Sequence, residues 1–352
     1  MNETIEDDSI YLSLNSPLDN VKITKPDICI KETNNVKDST DYLDLKDIYI
    51  KEQIPPFKDI KVSTKTIVSV SNIKFNIRLM YMYLPIWEYI VVKKKRGRKK
   101  SGYEQENKNK NLSPGSIISI ENKTDTRGSI LKTKKKSKKT YFLNSITIVL
   151  ILENEKTINL KVCENGNCQM TGCKNDMHFI KTMKFVYKHI IETEKRVGQK
   201  LHTIIGDYKT PRIIFNVVMK NIDFKLGFKI KREALYEFLY KNTKNYTPHF
   251  ESVIDTGVNI KIKPEHPNDE FLTCIELDKK DFSYKLKSVP YSEYLHMFGK
   301  KSSKEKLFTF LVFSSGSVIF SGSGPDIEKE YEKFYKLIKA NREHYEEKLC
   351  EK

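Results

Sequence analysis

The chain has 352 residues, of which 38% are hydrophobic and 31% charged, and its formal net charge is +17. The apolar share is enough to bury a core. The excess of Lys and Arg predicts a basic surface and a polyanionic partner, although coding bias toward Lys would give part of the same excess. The sequence contains neither a run of about eighteen apolar residues nor a secretory signal, and its six cysteines show no paired spacing. These features predict a soluble, intracellular protein without a membrane partner.

The N-terminal segment differs in charge from the rest of the chain. Residues 1–60 are acidic on balance and poor in apolar side chains, so we expect a largely disordered leader. The basic charge is concentrated in Lys93–Lys100 and Lys132–Lys139. Arg96 and Arg98 flank a glycine, as in the core of an AT-hook, where two Arg side chains lie in a narrow minor groove. A solvated basic run or a nuclear localisation signal explains the same residues equally well.

The elements after the leader indicate an α+β unit that occurs twice. The first set consists of a strand over Thr66–Ile77, a helix over Arg78–Ile86, strands over Ile146–Leu152 and Ile158–Cys163, a third strand after the turn, and a long helix for which either Asn175 or Asp176 is the N-cap. The second set consists of a strand over Ile213–Ile222, a helix over Lys231–Lys241, strands over Val258–Lys263, Leu307–Phe313 and Val318–Ser321, and a helix from Asp326 to about Lys348.

Two pairs of similar segments support a duplication. The pairs are Ser71–Leu79 with Lys220–Phe228 and Asn165–Gly172 with Ser315–Gly322. In the first pair, Phe75 and Phe224 are 149 positions apart (224 − 75 = 149). In the second pair, Gly166 and Gly316 are 150 positions apart (316 − 166 = 150). This shared offset predicts two half-domains. Their bounds are residues 61–208, with a basic insertion over 93–140, and residues 209–352, with an insertion over 264–306.

A sheet that carries helices on one face leaves its other face open, and alternation along the strands assigns side chains to that face. In the second unit these side chains are Leu311, Phe313, Ile319 and Ser321, and in the first unit they are Lys161, Cys163, Gln169 and Thr171. An open face with Leu, Phe and Ile is either a binding surface or a misassignment.

The order strand, helix, three strands and long helix, found twice, resembles the TATA-binding proteins. The residues TFLVFSSGSVIF (Thr309–Phe320) closely resemble the third strand, stirrup turn and fourth strand of that family, and the resemblance covers roughly Lys61–Leu349. It implies an α+β fold in which two tandem repeats form a saddle-shaped antiparallel sheet with helices on the convex face. It also implies a concave face that enters the minor groove and kinks DNA, a mechanism for which this family is itself the standard example.

The resemblance implies roles for individual residues of the second repeat. Phe313 matches an intercalating wedge and Leu311 its neighbour. Ile319 and Ser321 match contacts to the floor of the groove, and Phe250 is the candidate for a second wedge.

The corresponding positions of the first repeat are more polar. Gln169 and Thr171 match groove contacts, and Val68 on the first strand is also a candidate contact. Cys163 stands at the wedge position, and Lys161 stands where an apolar residue is expected. We therefore expect an asymmetric binder that kinks DNA with its second half and grips it with charged and polar groups of the first.

Three further positions follow from the resemblance. Phe142 is a candidate for the remaining wedge of the first repeat. The central Asn pair of the family falls on Thr66 in the first repeat, and Asn216 is the nearest candidate in the second.

The resemblance implies a promoter-recognition factor of the kind found in large DNA viruses. Its expected partners are AT-rich double-stranded DNA, a transcription-factor-IIB-like protein and RNA polymerase. Its expected location is the nucleus or a viral replication compartment in the host cytoplasm. A saddle-fold protein-interaction scaffold and a basic DNA-binding protein without sequence preference are the alternatives.

Catalytic motifs are not expected. The sequence lacks a Walker A loop, and its seven His residues show no metal-ligand spacing. Cys163, Cys168 and Cys173 recur every five residues but have no fourth ligand at a zinc-finger distance. We therefore predict a protein that is not an enzyme and has neither cofactor nor metal.

Overall fold

The computed structural model describes residues 54–90, 112–130, 143–153, 156–252, 257–299 and 306–347. The predicted leader up to residue 53, Arg96, Arg98 and Phe142 lie outside these ranges. Among the described helices, none has both the length and the apolar character that crossing a bilayer requires.

Fifteen strands and five α-helices are described. The strands are β1 (Val62–Ser71), β2 (Ile73–Phe75), β3 (Ile117–Asn122), β4 (Asp125–Gly128), β5 (Ser145–Ile151), β6 (Thr157–Cys163), β7 (Cys168–Cys173), β8 (His202–Ile204), β9 (Arg212–Lys225), β10 (Thr247–His249), β11 (Val258–Ile262), β12 (Phe271–Leu277), β13 (Tyr284–Pro290), β14 (Phe308–Val312) and β15 (Ser317–Gly322). The helices are α1 (Ile77–Tyr83), α2 (Asp176–Val197), α3 (Arg232–Asn242), α4 (Tyr291–Phe298) and α5 (Ile327–Ala340).

Local sequence explains where the first-repeat helices begin and end. The side chain of Asn76 accepts a hydrogen bond from the Leu79 N–H at the start of α1, and the helix stops before Pro85. The side chain of Asn175 accepts the His178 N–H at the start of α2. Gly198 ends α2 in the left-handed conformation, at φ 68°.

The strand order is mirrored about its centre. β1 and β9 pair with each other, β7, β6, β5 and β3 follow on the β1 side, and β15, β14, β11 and β10 follow on the β9 side. All of these pairs are antiparallel. Each half therefore has the same sequence of strand, short helix, four strands and long helix, which confirms the α+β class and the duplication.

The helices of the two halves cover separate cores. α1 and α2 pack on β1 and β5–β7 around buried residues such as Met80, Phe179 and Ile148. α3 and α5 pack on β11, β14 and β15, where Phe310 stacks on Phe334 with ring centroids 3.8 Å apart. Burial of these apolar faces is the main stabilising term of both halves.

The structure corrects the alignment of the first pair of similar segments. The Phe75 N–H donates to the Glu164 carbonyl at 2.9 Å, and the Ile230 N–H donates to the Ser314 carbonyl at 2.8 Å. The two donors, which lie just before the first helix of each repeat, are 155 positions apart (230 − 75 = 155). The two acceptors, which lie in the turns after β6 and β14, are 150 positions apart as predicted (314 − 164 = 150). The pairing of Phe75 with Phe224 was therefore wrong by six positions.

Other sequence predictions need smaller corrections. The first predicted strand divides into β1 and β2 at Asn72, and the last helix ends at Ala340, before a 3-10 turn at Arg342–His344. β3 and β4 were not predicted and lie within the stretch assigned to the basic insertion. β3 escaped the pattern because Ile117, Ile118 and Ile120 are all buried, so no apolar and polar alternation marks it.

Gly166 and Gly316 hold the equivalent turns between β6 and β7 and between β14 and β15. Both have positive φ, at 89° and 77°. A Cβ at either position would collide with a backbone carbonyl oxygen, that of Ile73 or that of Phe228. We expect Gly316→Ala to lower the free energy of unfolding by about 2–4 kcal/mol, because left-handed strain and this collision act together.

Gly206→Ala is the matched control, since Gly206 has φ 78° but nothing within 4 Å of an added Cβ. It should lose only about 1 kcal/mol from backbone strain. Denaturant unfolding measures both variants, and equal losses would contradict the proposed collision.

Candidate nucleic-acid interface

Strand register places one set of second-repeat side chains on the face opposite the helices. Leu311 pairs with Ile319 and Thr309 pairs with Ser321. The alternate residues of the same strands face the core, and the Phe310 and Phe320 rings stack there with centroids 4.1 Å apart. The predicted alternation of this hairpin therefore agrees with the structure.

Three apolar residues on this open face lack a core partner. Leu311, Phe313 and Ile319 are half-buried, and none belongs to the hydrophobic clusters that the described residues form. Phe313 lies at the end of β14, where its N–H donates to the Ser317 carbonyl at 3.0 Å. Ordinary core packing therefore does not explain these three side chains.

Asn221 is a candidate site residue that the sequence patterns missed. With the corrected offset it is the equivalent of Thr66 (221 − 66 = 155). Its Oδ1 atom accepts a hydrogen bond from the Ser321 hydroxyl at 2.9 Å, which orients the amide on the open face. Asn216, the residue predicted for this role, is only 3% exposed and is the cross-strand partner of Val68. Only the long-range register distinguishes the two residues.

Charged groups also lie on this face. Asp223 pairs with Ile319 and is exposed. Partial desolvation raises the pKa of the Asp223 carboxyl, while the Ser63 hydroxyl and Lys61 act in the opposite direction. Lys261 and His249 extend the same face along β11 and β10, because they continue the register set by Leu311.

The polar residues predicted in the first repeat share the open face of their half. Lys161 pairs with Gln169, and Val68 also pairs with Gln169 from the other side. Thr171 and Cys163 belong to the same alternating sets, and all five side chains are half-buried. Burial lowers the pKa of Lys161 and raises that of Cys163, and each group partly offsets the shift of the other.

Phe250 is not brought together with Phe313. Its ring lies 6.4 Å from that of Tyr236, and the Arg232 guanidinium lies 5.5 Å from its centroid. Tyr236 and Arg232 both belong to α3, so Phe250 packs against the helical side of the second repeat. A role as second wedge stays a prediction.

One group of potential metal ligands occurs among the described residues. Glu265, His266 and Asp326 offer ligand atoms within 4.8 Å of one another. Asp326 already accepts the His266 N–H at 2.6 Å, and Glu265 pairs with Lys329 at 2.7 Å. The group is therefore satisfied as a hydrogen-bonded connection between the end of the second-repeat sheet and α5.

Two viral proteins are similar to parts of this chain. An uncharacterized protein, 335L, of Invertebrate iridescent virus 6 is 26% identical over 213 residues, which cover 57% of this chain and 61% of that protein. A TATA-box-binding protein-like protein of Acanthamoeba polyphaga mimivirus is 34% identical over 126 residues, which cover 33% of this chain and 34% of that protein. The chain thus spans less than two thirds of either relative.

A solved structure of Methanococcus jannaschii TBP aligns with 81% of this chain and 99% of its own, at 13% identity and a TM-score of 0.38. No family model matches the chain. The resemblance that the sequence indicated is confirmed over the third of the chain that the mimivirus relative matches.

Cys163 should be the most reactive of the four described cysteines. Burial raises the pKa of the Cys168 and Cys173 thiols to about 12, and Cys274 is fully buried, whereas Cys163 is half-exposed. Because the thiolate is the nucleophile, we expect iodoacetamide to label Cys163 first. Peptide mass mapping measures this order, with the denatured protein as control. Equal labelling of Cys274 in the folded protein would contradict the structure.

Proposed function

We propose that this TATA-binding-protein-like chain binds AT-rich duplex DNA in the minor groove and bends it during transcription initiation. The observation that supports this proposal most directly is the open face of the second repeat. There Leu311, Phe313 and Ile319 are half-exposed outside every cluster of the described core. Unpartnered apolar side chains on an otherwise polar sheet are typical of an interaction surface.

The chemistry of this face suits a widened minor groove. An apolar wedge such as Phe313 unstacks a base step at a cost of a few kcal/mol, which TA steps reduce because they are flexible. The amide NH2 of Asn221, oriented by the Ser321 hydroxyl that donates to its Oδ1 atom, can donate hydrogen bonds to the acceptors that A·T pairs present in that groove. The net charge of +17 adds attraction to phosphates without sequence preference.

The remaining parts of the proposal concern partners. The helical side of the sheet stays accessible when the open face holds DNA, and it is the surface for a transcription-factor-IIB-like protein and RNA polymerase. The corresponding location is the nucleus or a viral replication compartment. The proposed activity is binding, with no catalytic step.

Asp223 favours a second candidate function, that of a protein-binding scaffold. Its carboxylate lies on the open face beside Ile319, where it would repel phosphates and the acceptor atoms of the groove. A basic protein segment would instead pair with it. Direct measurement of DNA binding distinguishes the two functions.

Replacing Phe313 tests the wedge. Phe313→Ala should abolish the bend and weaken binding to a TATA-containing duplex by about 1–3 kcal/mol, because the stacking that offsets the kink is lost. Energy transfer between dyes at the duplex ends measures the bend, and anisotropy measures affinity.

Phe271→Ala is the matched control, because Phe271 is an aromatic residue that is 56% exposed. It lies on the same face of β12 as Ile275 and Leu277, which belong to the first-repeat core on the helical side of the sheet. This variant should leave both signals unchanged. Normal bending by Phe313→Ala, or equal binding to a GC-rich duplex, would refute the proposed function.

The carboxyl of Asp223 should make DNA binding depend on pH. Its raised pKa means that protonation, which removes the repulsion, begins at a higher pH than for an ordinary Asp. We expect affinity to rise as pH falls from neutral. Asp223→Asn should bind more tightly at neutral pH and show a weaker pH dependence.

The other side chains of this face, His249 included, are the same in both proteins, so the difference between their affinity profiles isolates Asp223. Parallel profiles would show that the carboxylate does not face the DNA.

A further inference from the structure

We infer that the insertion carrying α4 confines the duplex to the second repeat, so that the protein kinks DNA at one end of the site only. This inference rests on the proposed function and specifies its DNA geometry. It follows from the position of α4 on the sheet, which the sequence did not indicate.

The residues under α4 show which face it covers. Ile213 and Phe215 on β9 face the first-repeat core, where Phe215 lies 4.8 Å from the Phe179 ring of α2. Ile214 lies between them and therefore faces the other side of the sheet. It forms a separate cluster with residues of β1 and the insertion, namely Val70, Leu272, Cys274, Val289 and Tyr294. α4 also contacts β1, so it stands on the open face.

Comparison of the repeats shows what this position blocks. Val70 is 0% exposed, whereas Lys225, its equivalent in the second repeat (225 − 70 = 155), is exposed. Val70 lies at the end of the sheet near the turn between β6 and β7, because the preceding residue, Ser69, pairs with Cys168 at the start of β7. Because a helix with side chains is about 10 Å across, a duplex cannot contact the sheet at this end while α4 is in place.

The cover is held by buried contacts. β12 pairs with β9 in register, from Thr273 opposite Phe215 to Glu276 opposite Arg212. The Arg212 side chain, which is nearly buried, contacts Glu293 of α4 at 3.0 Å and Glu276 at 3.3 Å. Lifting α4 would break this ion pair and expose an apolar cluster to water, so the structure favours a fixed cover.

A second cover lies over the outer strands of the first repeat. Ile118, Val149 and Ile151 form a cluster on the open face, and Tyr89 and Leu112 pack against it. Val149 pairs with Asn159, and Lys261 pairs with Thr309, which is 150 positions further along the chain (309 − 159 = 150). Lys261 is therefore the equivalent of Val149 in the second repeat, and it is half-exposed. Only the second repeat therefore presents a continuous open face among the described residues.

The number of unstacked base steps tests the inference. A TATA-containing duplex is prepared with the fluorescent adenine analogue 2-aminopurine at each adenine in turn, and fluorescence is measured with the full chain. We expect an increase at one step, lost with Phe313→Ala. Increases at two separated steps would overturn the confinement and leave the proposed function intact. No increase at any step would overturn both.

Two matched substitutions test which repeat contacts the DNA. Thr171 and Ser321 are equivalent, half-buried residues of the two open faces (321 − 171 = 150). Ser321→Glu should weaken binding at least about tenfold, and Thr171→Glu less than about threefold, because only the former places a carboxylate against the duplex. Equal losses from variants with equal melting temperatures would overturn the inference.

Cys274 reports on movement of α4, because it is fully buried beneath that helix. We expect the iodoacetamide labelling rate of Cys274 to stay as low in the complex as in the free protein. A rise in labelling upon addition of the duplex would show that α4 lifts away and would overturn the fixed cover.

Discussion

The pairing of β1 with β9 is the interaction on which the rest of this molecule depends. It extends from Val62 opposite Ile222 to Ser71 opposite Ile213 and joins the strands of both repeats into one sheet. Paired residues of antiparallel strands point to the same face. Both helical layers therefore lie on one side, and the open faces of both repeats lie on the other. Without this pairing each repeat would expose the backbone edge of its first strand.

The two repeats keep the residues that the backbone requires and differ in those that face outward. Gly166 and Gly316 are retained in the turns because no other residue fits their positive φ and close carbonyl contact. Lys161 and Cys163 in the first repeat correspond to Leu311 and Phe313 in the second. Side chains of an open face are limited mainly by what they bind, so the difference between the repeats indicates different roles within one scaffold.

The insertion between β11 and β14 increases this difference. It uses the free part of β9 that has no counterpart in β1, since β15 pairs only with Lys220–Lys225. A hairpin at that edge satisfies the backbone groups of β9, and its connection to α4 then buries Val70 and Ile214. The insertion that protects this edge of the sheet thus also covers part of the open face.

Period-two alternation in the sequence by itself determined β6, β7, β14 and β15 and the faces of their side chains, because each of these strands has one face in the core and one face toward solvent. Spacing of apolar residues likewise determined α2. The tertiary structure alone decided three things: the offset that makes Asn221 rather than Asn216 the equivalent of Thr66, the strand β3 buried on both faces, and the position of α4. Each depends on contacts between distant segments, which local patterns do not record.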